Sequence, residues 1–190
     1  VKKSTSYSLI PILVLVAVAV VGPVWALTAK AVSKVVVTDY SSADDEAVNL
    51  AFTESQSVDF ANGTGAGNAN EAWIDSRALS ASTSEELDLA GGLTRAGYAY
   101  TFTKVKVLRV EAASTNAEDI EVGGADANQF VGPFGDSSDT VGVPPGGFVT
   151  FVHPGAGWNV AAGTGDLLKV LAGAAGGTYR ITVVGEASKS

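Results

Sequence analysis

The chain has 190 residues, with 12 Lys/Arg against 20 Asp/Glu, one histidine, and neither cysteine nor methionine. Without cysteine there is no disulfide framework and no thiolate metal site. The charge is unevenly spread: residues 1–35 hold four lysines and no acid, so from Val36 onward eight basic residues face all 20 acids, a formal −12. A body that acidic lacks the Lys/Arg patches that displace counterions from phosphates, and nucleic acid is not an expected partner of it.

The first element is apolar. From Ser4 to Ala29 no residue is charged, and Leu9 to Leu27 is almost wholly hydrophobic. As a helix this run covers roughly the 30 Å hydrocarbon thickness of a bilayer. Tyr7 and Trp25 would then lie about 27 Å apart, at the two interfaces that aromatic residues prefer. Lys2 and Lys3 flank one end and Lys30 and Lys34 the other. Pro11 falls in the first turns, whereas Gly22-Pro23 predicts a kink. Three uses compete. A cleaved signal peptide fits the small-residue sites Val24-Trp25-Ala26 and Leu27-Thr28-Ala29. A membrane anchor fits the length, with residues 9–27 in a lipid bilayer, and the core helix of a filament fits as well. The stretch YSLIPILVLVAVAVVGPVWAL is similar in texture to small bacterial pilins, without the acidic residue they place near the mature N-terminus. A retained hydrophobic helix over residues 1–35 is the expectation, with residues 36–190 as a separate acidic domain.

Beyond Lys34, short β-branched and aromatic runs alternate with Gly, Asn, Asp and Ser, the pattern of an all-β sandwich. The predicted strands, in chain order, are 34–38, 47–53, 57–61, 72–75, 86–89, 98–112, 119–122, 129–131, 140–143, 148–153, 159–161, 167–171 and 178–184. Val48, Leu50 and Phe52 alternate, as do Tyr179, Ile181 and Val183, and each set should face the core. In the longest run, Tyr98, Tyr100 and Phe102 share a face on which period two would also place Lys104 and Lys106. Either a bulge near Thr103 restores the register, or both faces are partly covered and the lysines lie at an edge. Asn62 to Asn70, NGTGAGNAN, predicts a long exposed loop. Its Gly-x-Gly is no phosphate site, lacking a following Lys-Ser/Thr, while Asn62-Gly63-Thr64 matches a glycosylation acceptor.

Chemistry is sparse. His153 follows the run FVTFV and directly precedes Pro154, with no Gly-x-Ser-x-Gly elbow in the chain, and predicts a strand-end histidine at a turn rather than a triad member. Asp44-Asp45-Glu46 and the pair Asp136/Asp139 predict solvated acidic loops, since calcium needs six to eight oxygens converging on one point. Paired carboxylates for glycoside hydrolysis are defined by spatial rather than sequence spacing, and nothing in the sequence singles out a pair. No catalytic, cofactor-binding or metal-ligating residue is assigned.

The C-terminal half is punctuated by Gly132-Pro133-Phe134, Pro144 to Gly147, Gly157-Trp158, Gly163 to Leu167 and the closing strand Tyr179 to Ile181. Together with DLAGGLTRAGYAYTFTKVKVLRV from Asp88, this succession resembles small β-sandwich proteins of bacteriophage structural gene clusters. The resemblance implies a mainly β, jelly-roll-like sandwich behind the hydrophobic helix. It also implies a non-enzymatic structural role in a virion, membrane-associated or at the surface, with copies of itself and other virion proteins as partners. The alternatives are a pilin-like subunit of an extracellular filament at the cell surface and an exported carbohydrate-binding sandwich. Trp158 is expected in the core with Tyr179, Ile181 and Val183.

Overall fold

The computed structural model describes residues 26–41 and 48–190, with side chains for 26–36 and 53–190. Thirteen strands carry the described fold: β1 (Ala29–Ser41), β2 (Val48–Asn62), β3 (Asn68–Ala69), β4 (Glu71–Leu79), β5 (Ser84–Asp88), β6 (Leu93–Arg95), β7 (Tyr98–Ala112), β8 (Ile120–Gly123), β9 (Thr140–Val143), β10 (Phe148–Val152), β11 (Trp158–Asn159), β12 (Leu167–Ala172) and β13 (Gly177–Lys189). The mainly β expectation holds. The predicted strand at 129–131 is reduced to a single bridge between Gln129 and Leu167.

The strands form two facing sheets and a separate ribbon. The larger sheet runs β10-β7-β13-β4, with β6 and β11 also paired to β7, and the smaller runs β5-β12-β8-β9. Alternation explains the core. Trp73, Leu108, Val110, Tyr179, Ile181 and Val183 point inward from the larger sheet, and meet Leu87, Ile120, Val122, Leu168 and Val170 from the smaller. Trp73 is fully buried, and its indole Nε1–H donates to the Thr94 carbonyl at 3.2 Å. Trp158 departs from expectation. It packs against this core but stays half-buried, because the short strand β11 holds it at the margin of the sheet.

The long strand β7 carries two bulges. Pairing with β13 runs from Val107 opposite Val184 to Val105 opposite Gly185, and from Lys104 opposite Glu186 to Phe102 opposite Ala187. Lys106 and Thr103 are therefore extra residues on β7. The bulge expected near Thr103 is present, with a second at Lys106. Together they keep Tyr100, Phe102, Val105, Leu108 and Val110 all on the core face. Gly185 is required here: a Cβ on it would collide with the Lys104 carbonyl oxygen.

Strands β1 and β2 pair along their whole length, from Ala29 opposite Phe60 to Ser41 opposite Val48. At the usual strand rise the ribbon is roughly 40 Å long. This corrects one expectation. Residues 29–35 are strand, so the hydrophobic helix does not extend to residue 35; β1 runs from Ala29 to Ser41. The physical reason is the β-branched run from Val35 to Thr38, matched opposite by β2, whose two predicted strands are one. Among the described residues no helix is long and apolar enough to cross a membrane. Residues 1–25, and with them nearly all of the 9–27 bilayer segment, lie outside the described residues. So do Asp44-Asp45-Glu46 and the side chains of Val48, Leu50 and Phe52.

Candidate functional site

The ribbon root rests on the outer face of the larger sheet. Phe60, Ala69, Val107 and Val184 are buried there as a second small core, with Leu27, Ala29, Ala31, Val58 and Val152 packed around them. Above this floor the ribbon and the sheet stand apart, leaving an open groove of about 510 Å³. Its apolar walls are Ala31, Val58 and Val152; Lys30, Gln56, Arg109 and Thr150 bring polar groups to it. Lys30 pairs across the ribbon with Asp59 at 3.2 Å, and Arg109 with Glu111 at 2.5 Å. The Arg109 guanidinium also lies 4.1 Å over the ring of Phe148, which is 63% exposed on edge strand β10.

On the ribbon, alternation places Lys30, Val32, Lys34 and Val36 on the side turned away from Ala29 and Ala31. Val32 and Val36 are each 57% exposed. Among the described residues the outer edge of β1 pairs with nothing, and β2 pairs beyond β1 only at Ala61–Asn62 with β3. An unpaired two-stranded ribbon is at best marginally stable alone, and exposed apolar edges invite a further chain.

The root is pinned by a lysine that sequence reasoning noticed only as a disturbance of alternation. Lys106 is fully buried at its bulge, and its Nζ donates to the carbonyls of Gly65 (2.9 Å), Gly155 (3.0 Å) and Ala156 (2.6 Å). The Glu186 carboxylate lies 3.1 Å away and also accepts the Gly65 N–H at 2.9 Å. Burial pushes the Glu186 carboxyl up, but the Gly65 N–H and the Lys106 ammonium outweigh it and hold it below the usual carboxylate range. Gly157, at φ 83°, passes so close that a Cβ would meet Lys106 Cδ at 2.8 Å. The NGTGAGNAN segment is largely exposed over residues 62–66, as a loop there should be, but it does not hang free. It is tied to the sandwich through Gly65, through Gly67 to Gly155, and through Asn70, whose side chain bonds both backbone groups of Ala187. Asn62 of the glycosylation pattern accepts the Leu27 N–H at 3.0 Å.

The other singled-out residues have structural roles. His153 Nδ1 accepts the N–H groups of Gly155 and Gly157, both at 3.2 Å, and its ring meets Trp158 edge to face at 5.3 Å. It shapes the Pro154–Gly157 turn, as a strand-end histidine should. Asp136 accepts the Ser138 N–H and hydroxyl, which lower its carboxyl, and Asp139 accepts the Asp136 N–H. These carboxylates serve their own loop. Asp75 and Glu85 come together but bracket Arg77, at 2.8 and 2.6 Å. Glu85 also accepts the Tyr179 hydroxyl at 2.8 Å, and burial together with that carboxylate raises the phenol. The cluster ties β4, β5 and β13 together, with both acids engaged by a cation. No group of three or more potential metal ligands occurs among the described residues.

Comparison with known family models, with curated proteins and with solved structures finds no match to this chain.

Proposed function

We propose that this chain is a non-enzymatic structural subunit of a virion, built as a jelly roll and assembling with copies of itself. The strand order carries the reading. In chain order the eight main strands are β4, β5, β7, β8, β9, β10, β12 and β13. The first, eighth, third and sixth make the larger sheet; the second, seventh, fourth and fifth make the smaller. Two four-stranded sheets interleaved in this way are the jelly-roll arrangement, an architecture frequent in viral capsids and in lectins. The ribbon supports the capsid side of that choice, because its exposed valines leave the chain incomplete as a monomer. The resemblance of the C-terminal half to phage structural proteins points the same way. The apolar run 9–27 then attaches the subunit to an internal membrane or to the assembly.

The lectin side has one observation of its own, the exposed Phe148 beside Arg109, since an aromatic face next to a hydrogen-bond donor suits a sugar ring. The deciding experiment is protein mass spectrometry with electron microscopy on purified particles. Many copies per particle, placed in the shell, are expected. Absence from particles, or presence only in extended filaments, overturns the virion reading. Glycan binding that Phe148→Ala abolishes, in a chain that stays monomeric, establishes the lectin instead.

A further inference from the structure

The joint between ribbon and sandwich hangs on the turn that follows β10. The His153 N–H donates to the Lys106 carbonyl at 2.8 Å, and Gly155 and Ala156 aim their carbonyls at the Lys106 ammonium. The Gly155 carbonyl also accepts the Gly67 N–H at 3.4 Å, so the same turn holds the segment between β2 and β3. Pro154 borders the groove beneath the ribbon. Two N–H groups of the turn, those of Gly155 and Gly157, end on a single atom, His153 Nδ1.

That atom accepts only while it carries no proton. Protonation turns Nδ1 into a donor facing two other donors at 3.2 Å. Histidine changes charge between about pH 5 and 8. His153, the one histidine of the sequence, is half-buried and so within reach of solvent protons. The charged groups around it do not welcome a second positive charge. Lys106 on β7 is fully buried, with the Glu186 carboxylate of β13 bridged to it. Residues 62–70 bring no charged side chain, and Lys104 on β7 donates to Asn159 on β11. Across the groove that Pro154 borders, Lys30 and Arg109 are already paired with Asp59 and Glu111. The Glu186 carboxyl, held below the usual carboxylate range, stays ionised throughout the histidine window. Protonating His153 therefore takes the joint from neutral to net positive.

We propose that His153 is a pH-sensitive latch, whose protonation frees the 154–157 turn and with it the 62–70 segment and the ribbon root. The neutral ring is the form that the turn binds, so its stabilisation is present at neutral pH and is lost as pH falls through the histidine window. A freed turn withdraws two of the three carbonyls that hold the Lys106 ammonium, leaving it Gly65 and Glu186, and removes the acceptor of Gly67. The element released is the one that carries the exposed valines, while the sandwich core, built from other residues, stays closed. The latch belongs to the fold whatever the chain assembles into.

The test follows amide hydrogen exchange of the full chain in a non-ionic detergent at about pH 7.5 and about pH 5.5, on either side of the ordinary histidine value. Rates are read as protection relative to the unfolded chain, so that the intrinsic pH dependence of exchange cancels. Protection at residues 62–70 and 154–157 should fall about tenfold or more at the lower pH, as expected for two lost hydrogen bonds, while β12 and the core residues of β13 keep theirs. His153→Asn keeps a side-chain acceptor beside the turn but cannot titrate, and should stay protected at both pH values. His153→Ala has no acceptor and should be unprotected at both. Equal wild-type protection at the two pH values overturns the latch, and so does a pH response that His153→Asn retains. The single imidazole also gives one NMR titration curve, whose midpoint should match the loss of protection; a turn that stays protected after the ring is protonated overturns the latch as well.

Discussion

The sandwich and the ribbon are made of the same material, alternating β strands, yet only one of them is complete. In the sandwich every inward residue of one sheet finds the other sheet, and Trp73, Ile181 and Val183 are fully buried. In the ribbon, by contrast, Val32, Val35 and Val36 stay more than half exposed, and Val32 lines an open groove rather than a second sheet. Burial of apolar surface, not strand pattern, separates the packed sandwich from the exposed arm.

The sharpest way to break this contrast is to damage each part and measure unfolding. Trp73→Ala removes a fully buried indole and should cost about 3–5 kcal/mol in a urea titration. Trp158→Ala, at the half-buried margin, should cost less, about 1–2 kcal/mol. Equal losses would mean that Trp158 belongs to the core as the sequence suggested. Lys106→Met tests the joint between the two parts. It leaves Glu186 and three carbonyls without their cation, and breaking a buried pair in this way costs about 3–5 kcal/mol. Since Lys106 holds Gly65, proteolytic cleavage between residues 62 and 70 should accelerate; an unchanged cleavage rate would deny it the anchoring role.

These positions show what was legible in the sequence. The sandwich could be read because period-two runs such as Tyr179-Ile181-Val183 and strong turn residues are local signals. The irregular spacing at Lys104 and Lys106 correctly pointed to a bulge. It did not show that Lys106 would be buried, because its acceptors come from residues 65, 155, 156 and 186, far apart in the chain. Trp73 passed unremarked in a short run, and its burial depends on a facing sheet built from four later segments. The ribbon was hidden differently. An apolar N-terminal stretch reads as helix up to its last lysines, and only the pairing with β2 makes residues 29–35 a strand. The groove follows from that pairing, so no local pattern could announce it.

Smaller effects refine the joint. Gly185→Ala puts a methyl group against the Lys104 carbonyl at the bulge, and the backbone shift it forces should cost about 1–3 kcal/mol. A neutral outcome would mean that the bulge is soft. Glu186 adds a pH dependence of defined sign. Its carboxyl is lowered in the folded chain, so its stabilisation is complete above the ordinary carboxylate value of 4.5 and is lost as pH falls through the depressed folded value. Melting temperatures should therefore fall between pH 6 and pH 3 by more in the wild type than in Glu186→Gln. Parallel curves would remove Glu186 from the account of acid sensitivity.

The smallest expected effect on folding bears most on function. Val32→Ser with Val36→Ser replaces two exposed apolar groups on a strand surface, and such changes are usually within about 0.5 kcal/mol of neutral. If the ribbon were a finished element, nothing else would follow. If it is an arm, these valines are buried only when a neighbour covers them, and each is then worth roughly 1.5 kcal/mol or more of association. The double substitution should therefore leave the melting temperature within a degree or two of wild type while weakening self-association by at least about tenfold. Val183→Ser, the same change made inside the sandwich, should do the reverse, lowering the melting temperature steeply before any association is measured. A ribbon variant that assembles normally would place the contact elsewhere and make the arm a passive extension of the sandwich.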